Sequence, residues 1–268
     1  MTSIAGAEDR FRAIERQAKG RLGIAAWDRR SGRLLSHRGD ERFAMCSTFK
    51  WILGALVLRR VDAGREHPER PIVFRSSDLV AYSPFTKGRS GSPGVPVAEL
   101  CRGTIQTSDN TAANLLLTTL GGPEGFTEGL RTLGDMTTRL DDWEPELNAN
   151  PPGVLRNTST PNAMLALLKR FLFEDLLADD SRRLLVEWMA GAKTGHDRLR
   201  AGLPPGWTLG NKTGTSTQNQ SNDVAFALRD PNALLIVSFH HVPDAMEKSA
   251  GPRHATVARE AVRALGRA

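Results

Sequence analysis

Three short strings set a hydroxyl beside a positive charge or a polar amide: Ser47-Thr48-Phe49-Lys50, Ser108-Asp109-Asn110 and Lys212-Thr213-Gly214. A serine hydroxyl is a poor nucleophile near neutral pH, so covalent chemistry on it needs an adjacent base. Ser47 and Lys50 are three positions apart, the spacing that puts two side chains on one face of a helix. The segment that follows, Trp51-Ile52-Leu53-Gly54-Ala55-Leu56-Val57-Leu58, is apolar on nearly every side and predicts a buried central helix. A serine at the mouth of such a helix also lies near backbone N–H groups that have no intrahelical partner. Nucleophile, base and rigid platform thus fall within one helical turn.

Each string alone is weak, since Ser-X-X-Lys arises by chance and Lys-Thr-Gly is common in turns. Together, in this order and widely separated, they resemble the set found in class A β-lactamases and penicillin-binding proteins. A fourth element separates the two families. Within Arg139-Leu140-Asp141-Asp142-Trp143-Glu144-Pro145-Glu146-Leu147-Asn148, the Glu144-X-X-Leu147-Asn148 pattern resembles the deacylation motif of class A β-lactamases. Penicillin-binding proteins typically lack that glutamate. Val80-Ala81-Tyr82-Ser83-Pro84, Glu99-Leu100-Cys101 and the run from Ser108 to Leu117 extend the likeness, which runs from about Arg21 to about Val242. The chain is identified as a member of the class A serine β-lactamases. A transpeptidase or carboxypeptidase of the penicillin-binding class, and a sensor that stays acylated, are the alternatives that Glu144 argues against.

The resemblance implies a role for each matching residue. Ser47 would attack the lactam carbonyl, with the backbone N–H groups of Ser47 and Thr215 as the oxyanion hole. Lys50 and Glu144 between them would take the serine proton. Ser108, assisted by Lys212, would pass a proton to the departing nitrogen, and Glu144 with Asn148 would hold the hydrolytic water. Asn110 would bond the substrate's acylamino group, and Tyr82 would wall the cleft. Lys212, Thr213, Gly214 and Thr215 would form the strand facing the substrate carboxylate. Many relatives carry an arginine just beyond that strand, where this chain has Ser216-Thr217-Gln218-Asn219-Gln220-Ser221. Arg198 is expected to replace it. Relatives also close the neck of the Glu144 loop with an arginine–aspartate pair. The matching positions here are Asp142 and Asn157, so the loop is expected to be held more weakly, with Arg139 and Asp141 as a second possible pair.

The two cysteines, Cys46 and Cys101, are expected to be buried free thiols. Some carbapenem-hydrolysing relatives bridge a cysteine at the first position to one just past the Lys-Thr-Gly string. Ser216 stands there in this chain, so that bridge is lost. No metal or other cofactor is expected. His240 and His241 are adjacent on a strand and point to opposite faces, and no clustered Cys/His spacing occurs.

The formal charge is +6, but the 36 basic residues are interspersed with 30 acids, and a single tyrosine leaves little for base stacking. Nucleic acid is not an expected partner, whereas a modest positive field favours an anionic substrate. No apolar run approaches the roughly 20 residues that span a bilayer, and Met1-Thr2-Ser3-Ile4-Ala5-Gly6 has no apolar signal core. Because the family acts outside the cytoplasm, a mature periplasmic or secreted monomer is expected. Its partners would be small-molecule β-lactam substrates and inhibitors.

The elements that must position these groups come in a distinctive order. Ala7 to Lys19 has helical spacing, and Leu22–Trp27 and Arg33–Ser36 predict strands around the turn Asp28-Arg29-Arg30-Ser31-Gly32. From Ser47 to about Gly191 helices dominate, with stops at Gly64, Gly121-Gly122 and Gly134, and a helix opening at Thr160-Pro161. Strands return at Trp207–Thr215, Val224–Leu228 and Leu234–Phe239, before a closing helix from about Pro252 to Leu265. Strands at both ends suggest one domain over residues 1–268: a sheet lobe (about 1–45 and 192–268) with a helical lobe (about 46–191) inserted. The resemblance implies an α+β fold with a five-stranded antiparallel sheet and the site in the cleft between lobes.

Overall fold

A computed structural model describes residues 4–151, 153–242 and 250–266. Met1, Thr2 and Ser3 of the opening segment lie outside the described residues.

The fold is α+β. Strands β1 (Arg21–Asp28), β2 (Leu34–His37), β3 (Thr208–Thr215), β4 (Gln220–Arg229) and β5 (Asn232–His241) form one antiparallel five-stranded sheet in the order β2-β1-β5-β4-β3. Strands from both ends of the chain therefore share one sheet, joined where β5 pairs with β1. Helices α1 (Ile4–Ala18) and α8 (Ala250–Leu265) cover one face, with Ile24, Ala26, Ala225, Ala227 and Ile236 packed beneath them. The other face carries Val224, Phe226, Leu235, Val237 and Phe239 into a larger core.

That core is built around α2 (Phe49–Asp62), in which every residue from Phe49 to Leu58 is buried. Around it stand α3 (Val97–Gln106), α4 (Asn110–Leu120), α5 (Gly122–Thr132), α6 (Pro161–Phe173) and α7 (Asp179–Ala190). Trp51 meets Phe171 edge-on with ring centroids 5.9 Å apart, and Phe49 meets Phe126 in the same way. Such edge-to-face pairs add about 0.5–1.5 kcal/mol beyond their area. Gly121 at φ 90° ends α4 in the left-handed conformation, and the Thr160 hydroxyl caps α6 by accepting from the Ala163 N–H.

Helix α6 packs on β1 and β5, so one helix between residues 46 and 191 lies directly against the sheet. An apolar stripe announces a buried face and is silent about what covers it. Strand β4 also starts four residues earlier than its apolar core suggests. Ser221, Asn222 and Asp223 are buried polar residues that satisfy themselves through side-chain hydrogen bonds.

His240 faces inward as its register requires and stacks on His254 of α8, with centroids 3.8 Å apart and planes 6° from parallel. Burial drives both imidazoles well below their usual pKa, and neighbouring arginines reinforce this. Above about pH 6.5 both are neutral in either state. As pH falls below that, the unfolded chain takes up protons that the folded one refuses, so stability is lost on acidification. His254→Phe should flatten that loss by up to about 1.4 kcal/mol per pH unit. Melting temperatures of parent and variant between pH 7 and pH 5 check it; parallel curves would contradict it.

Candidate active site

Ser47 sits in the tight 3-10 turn Cys46–Thr48, and α2 begins directly after it. Cys46 adopts φ 47°, a left-handed conformation uncommon outside glycine. The close approach of β3 fixes this turn. A Cβ at Gly214 would lie 2.7 Å from the Met45 carbonyl and 3.1 Å from the Ser47 nitrogen, so only glycine fits there.

Lys50 projects from the first turn of α2 into a fully buried site. Its Nζ lies 2.8 Å from Glu144 Oε1 and donates to the Ser108 carbonyl (2.8 Å) and to Asn110 Oδ1. The Ser47 hydroxyl donates to the same Glu144 oxygen across 3.2 Å. Burying this ion pair is costly, and removing one partner would strand the other in a low-dielectric interior. Burial lowers the Lys50 pKa, opposed by the Glu144 charge. Lys50 therefore gives up a proton more readily than a solvated lysine.

Ser108 has φ 61° and presents its hydroxyl to Lys212 Nζ at 2.9 Å. Asp109 fixes this corner. Its carboxylate caps α4 at the Ala112 N–H (2.7 Å) and accepts the N–H groups of Phe85 and Thr86. Lys212 is buried, and its pKa is driven well below normal by burial and then by the Lys50 charge. The Asn110 amide donates to the Ala81 carbonyl at 2.8 Å, and one of its N–H bonds then remains for a ligand. Tyr82, at φ 60° and 61% exposed, holds the same corner through its carbonyl, which accepts the Asn110 N–H.

Glu144 is held at backbone and carboxylate. Asn114, one turn beyond Asn110 on α4, donates to the Glu144 carbonyl (2.8 Å) and accepts its N–H (3.0 Å). Asn148 Nδ2 donates to Glu144 Oε2 at 2.6 Å, and Asn148 Oδ1 is buried with no hydrogen-bond partner among the described residues. At the loop neck Asn157 Oδ1 accepts the N–H groups of Asp141 and Asp142, and its Nδ2 donates to Asp142 at 2.8 Å. A neutral–charged hydrogen bond thus joins the two matching positions. Arg156 adds an ion pair to Asp142 from one residue before Asn157, and Arg139 pairs with Asp141. Exposed pairs of this kind contribute little to stability. Sequence reading missed Asn114, Asp109 and Arg156. Of these only Asp109, an acidic residue just before a helix, carried a recognisable signal.

At the far end of β3, Arg198 is 9% exposed and not a surface residue. It donates to the Gly214 carbonyl (3.2 Å), the Asn222 carbonyl (2.8 Å) and Thr215 Oγ1 (2.8 Å). Thr213 shares a 2.8 Å hydroxyl contact with Thr194. Asp223, buried behind this group, accepts from Asn211 and the Leu199 N–H, and burial pushes its pKa up to about 6 against the pull of Arg198. Cys46 and Cys101 are buried free thiols. Among the described residues, no three His, Cys, Asp or Glu side chains cluster to hold a metal.

A buried lysine, a carboxylate hydrogen-bonded to the Ser47 hydroxyl and a second lysine–serine pair thus meet between a five-stranded sheet and a helical cluster, an arrangement chemically suited to covalent catalysis on a serine. Residues 6–268 match the beta-lactamase enzyme family, to which the chain belongs. It is 42% identical over 256 residues to beta-lactamase FAR-1 of Nocardia farcinica, covering 95% of this chain and 82% of that protein. Beta-lactamase AST-1 of Nocardia asteroides is likewise 42% identical, with 99% and 86% covered. Among solved structures, an ancestral class A β-lactamase superposes with a TM-score of 0.93 at 46% identity, covering 96% of this chain and 99% of that one. The putative class A enzyme PenP of Rhodopseudomonas palustris gives 0.93 at 42% identity over the same shares.

Proposed function

We propose that this chain hydrolyses the β-lactam amide bond through an acyl-enzyme on Ser47, with Glu144 activating the water that releases the product. The chain is a hydrolase of class A type, acting on small β-lactam substrates such as penicillins and cephalosporins. The observation that carries the reading is the placement of Glu144. One carboxylate oxygen contacts both the Ser47 hydroxyl and Lys50, and the other is held by Asn148. A sensor that stays acylated has no use for a base at that point, and the penicillin-binding family typically lacks this glutamate.

In the proposed sequence, Ser47 Oγ bonds to the lactam carbonyl carbon while Lys50 and Glu144 take up its proton. Charge builds on the carbonyl oxygen, stabilised by the backbone N–H groups of Ser47 and Thr215. The carbon–nitrogen bond then breaks, and the nitrogen receives a proton from Ser108; the proton that left Ser47 passes from Lys50 and Glu144 through Lys212 back to Ser108, so Glu144 is again a carboxylate. Both lysines are buried, which favours the neutral form and suits them to passing protons. In the second half, the incoming water would be oriented by Glu144 and by the unfilled acceptor of Asn148. Glu144 takes a proton from the water as its oxygen bonds to the ester carbon; the carbon–Ser47 Oγ bond then breaks, and Ser47 receives that proton back from Glu144.

Arg198, Thr213 and Thr215 form the proposed seat for the substrate carboxylate, with Asn110 and Tyr82 at the acyl side chain. Arg198→Ala should chiefly raise KM, because a hydrogen bond to a charged group contributes roughly 1.5–3 kcal/mol, on the order of 10–100-fold. Unchanged KM across penicillins and cephalosporins would reduce Arg198 to a tie between strands. No helix among the described residues is long and apolar enough to cross a membrane. A secreted or periplasmic monomer is the setting proposed for this activity. Sustained hydrolysis of a chromogenic cephalosporin over many turnovers tests the whole reading; a single stoichiometric burst would turn it to a sensor or transpeptidase.

A further inference from the structure

Gln220 opens β4 and is 5% exposed, yet every polar atom of its side chain has work. Its Oε1 accepts the Ser216 hydroxyl at 2.8 Å and the Cys46 thiol at 3.6 Å. Its Nε2 donates to the Asn150 carbonyl at 2.7 Å. These three partners belong to three different parts of the site. Ser216 follows Thr215, whose N–H is assigned to the oxyanion hole. Cys46 precedes the nucleophile. Asn150 lies two residues beyond Asn148, on the loop that carries Glu144, and its own amide closes that loop end on the Arg156 carbonyl at 2.6 Å.

We propose that Gln220 is a positioning residue that locks the Asn148–Asn150 end of the Glu144 loop to the nucleophile turn and the end of β3, thereby setting the geometry of deacylation. The inference rests on the hydrolase reading above and deepens it. A primary amide carries a donor and an acceptor on one rigid plane, so it can serve a carbonyl on one side and two X–H donors on the other at any pH. Burial pushes the Cys46 thiol up to about 12, so it stays an S–H donor toward the amide oxygen. The neck pairs at Asp141 and Asp142 hold the loop at its base. The Gln220 bond holds it on the opposite side of Asn148, next to the strand.

The position of Asn148 relative to Ser47 matters little for forming the acyl-enzyme and greatly for placing water on it. Gln220→Met keeps the volume and removes both kinds of hydrogen bond. Gln220→Glu keeps the acceptor and, when ionised, removes the donor to Asn150. Single-turnover kinetics with benzylpenicillin should show deacylation slowed about tenfold in Gln220→Glu, the effect of one lost buried hydrogen bond, and at least as much in Gln220→Met, which loses all three, with acylation changed by less than about threefold. A buried carboxyl regains an O–H donor when protonated. The Gln220→Glu defect relative to the parent should therefore shrink as pH falls, while the Gln220→Met defect should not. Equal slowing of both steps, or a loss of melting temperature alone, would overturn the proposal and leave Gln220 as packing. A parent protein that forms no acyl-enzyme would overturn the hydrolase reading itself, independently of the variants.

Discussion

Ser47→Ala should abolish turnover while leaving the protein folded. The whole covalent path runs through one oxygen, and removing the nucleophile of a serine hydrolase costs on the order of 10⁶ in kcat. Little structure depends on that atom. The hydroxyl makes one protein hydrogen bond, to Glu144 Oε1, and Glu144 keeps Lys50 and Asn148 as partners when it is gone. The backbone N–H of residue 47 is unchanged by the substitution, and so is the Gly214 contact that shapes the turn. The variant should therefore still bind substrate with near-parental affinity and melt within a few degrees of the parent. Nitrocefin hydrolysis and equilibrium binding of benzylpenicillin, measured on one preparation, separate the two effects. Hydrolysis near the parental rate would remove Ser47 from the mechanism.

The candidate catalytic residues were legible because they lie in short strings that resemble a known family's motifs. Ser47, Lys50, Ser108, Glu144 and Lys212 come from four such strings, and the structure brings all five together. The backbone that aims them was not legible. The left-handed turns at Cys46 and Ser108 are imposed by tertiary contacts, and neither residue advertises φ > 0 as glycine or asparagine would. The polar start of β4 was hidden for a related reason. Alternation of apolar residues marks a half-buried strand, but Gln220 to Asp223 are buried by hydrogen bonding and break that pattern. The loop neck was legible in part. Asp142 and Asn157 meet through a neutral–charged hydrogen bond and Arg139 pairs with Asp141, but the Arg156 cation on Asp142 and the binding of the Asp141 and Asp142 N–H groups by the Asn157 amide had no sequence signal. Pairing across a loop is a fact of three dimensions, and a charge moved by one residue along the chain can restore it.

Glu144→Ala should separate the two halves of the reaction. In the parent, the buried Lys50 ammonium is compensated by the Glu144 carboxylate at 2.8 Å. Removing the carboxylate would leave an uncompensated charge in a desolvated site, a penalty of about 3–5 kcal/mol unless the charge itself disappears. Lys50 can escape it by releasing its proton. Burial already lowers its pKa, and the Glu144 charge is the main influence opposing that. A neutral Lys50 remains within hydrogen-bonding reach of the nucleophile's surroundings and is a competent base for Ser47, so acylation should persist. Deacylation has no such substitute. Asn148 is an amide and cannot take a proton from water, and Lys212 is committed to the Ser108 hydroxyl and the Thr213 carbonyl. General-base catalysis contributes on the order of 10²–10⁴-fold, so the ester on Ser47 should outlive its parental counterpart by at least that factor. Mass spectrometry of the variant treated with benzylpenicillin should show the protein plus one intact penicillin. Only unmodified protein, with no turnover, would mean that Glu144 is the base for acylation as well. Turnover at the parental rate would show that the carboxylate is a structural counter-charge to Lys50 and nothing more.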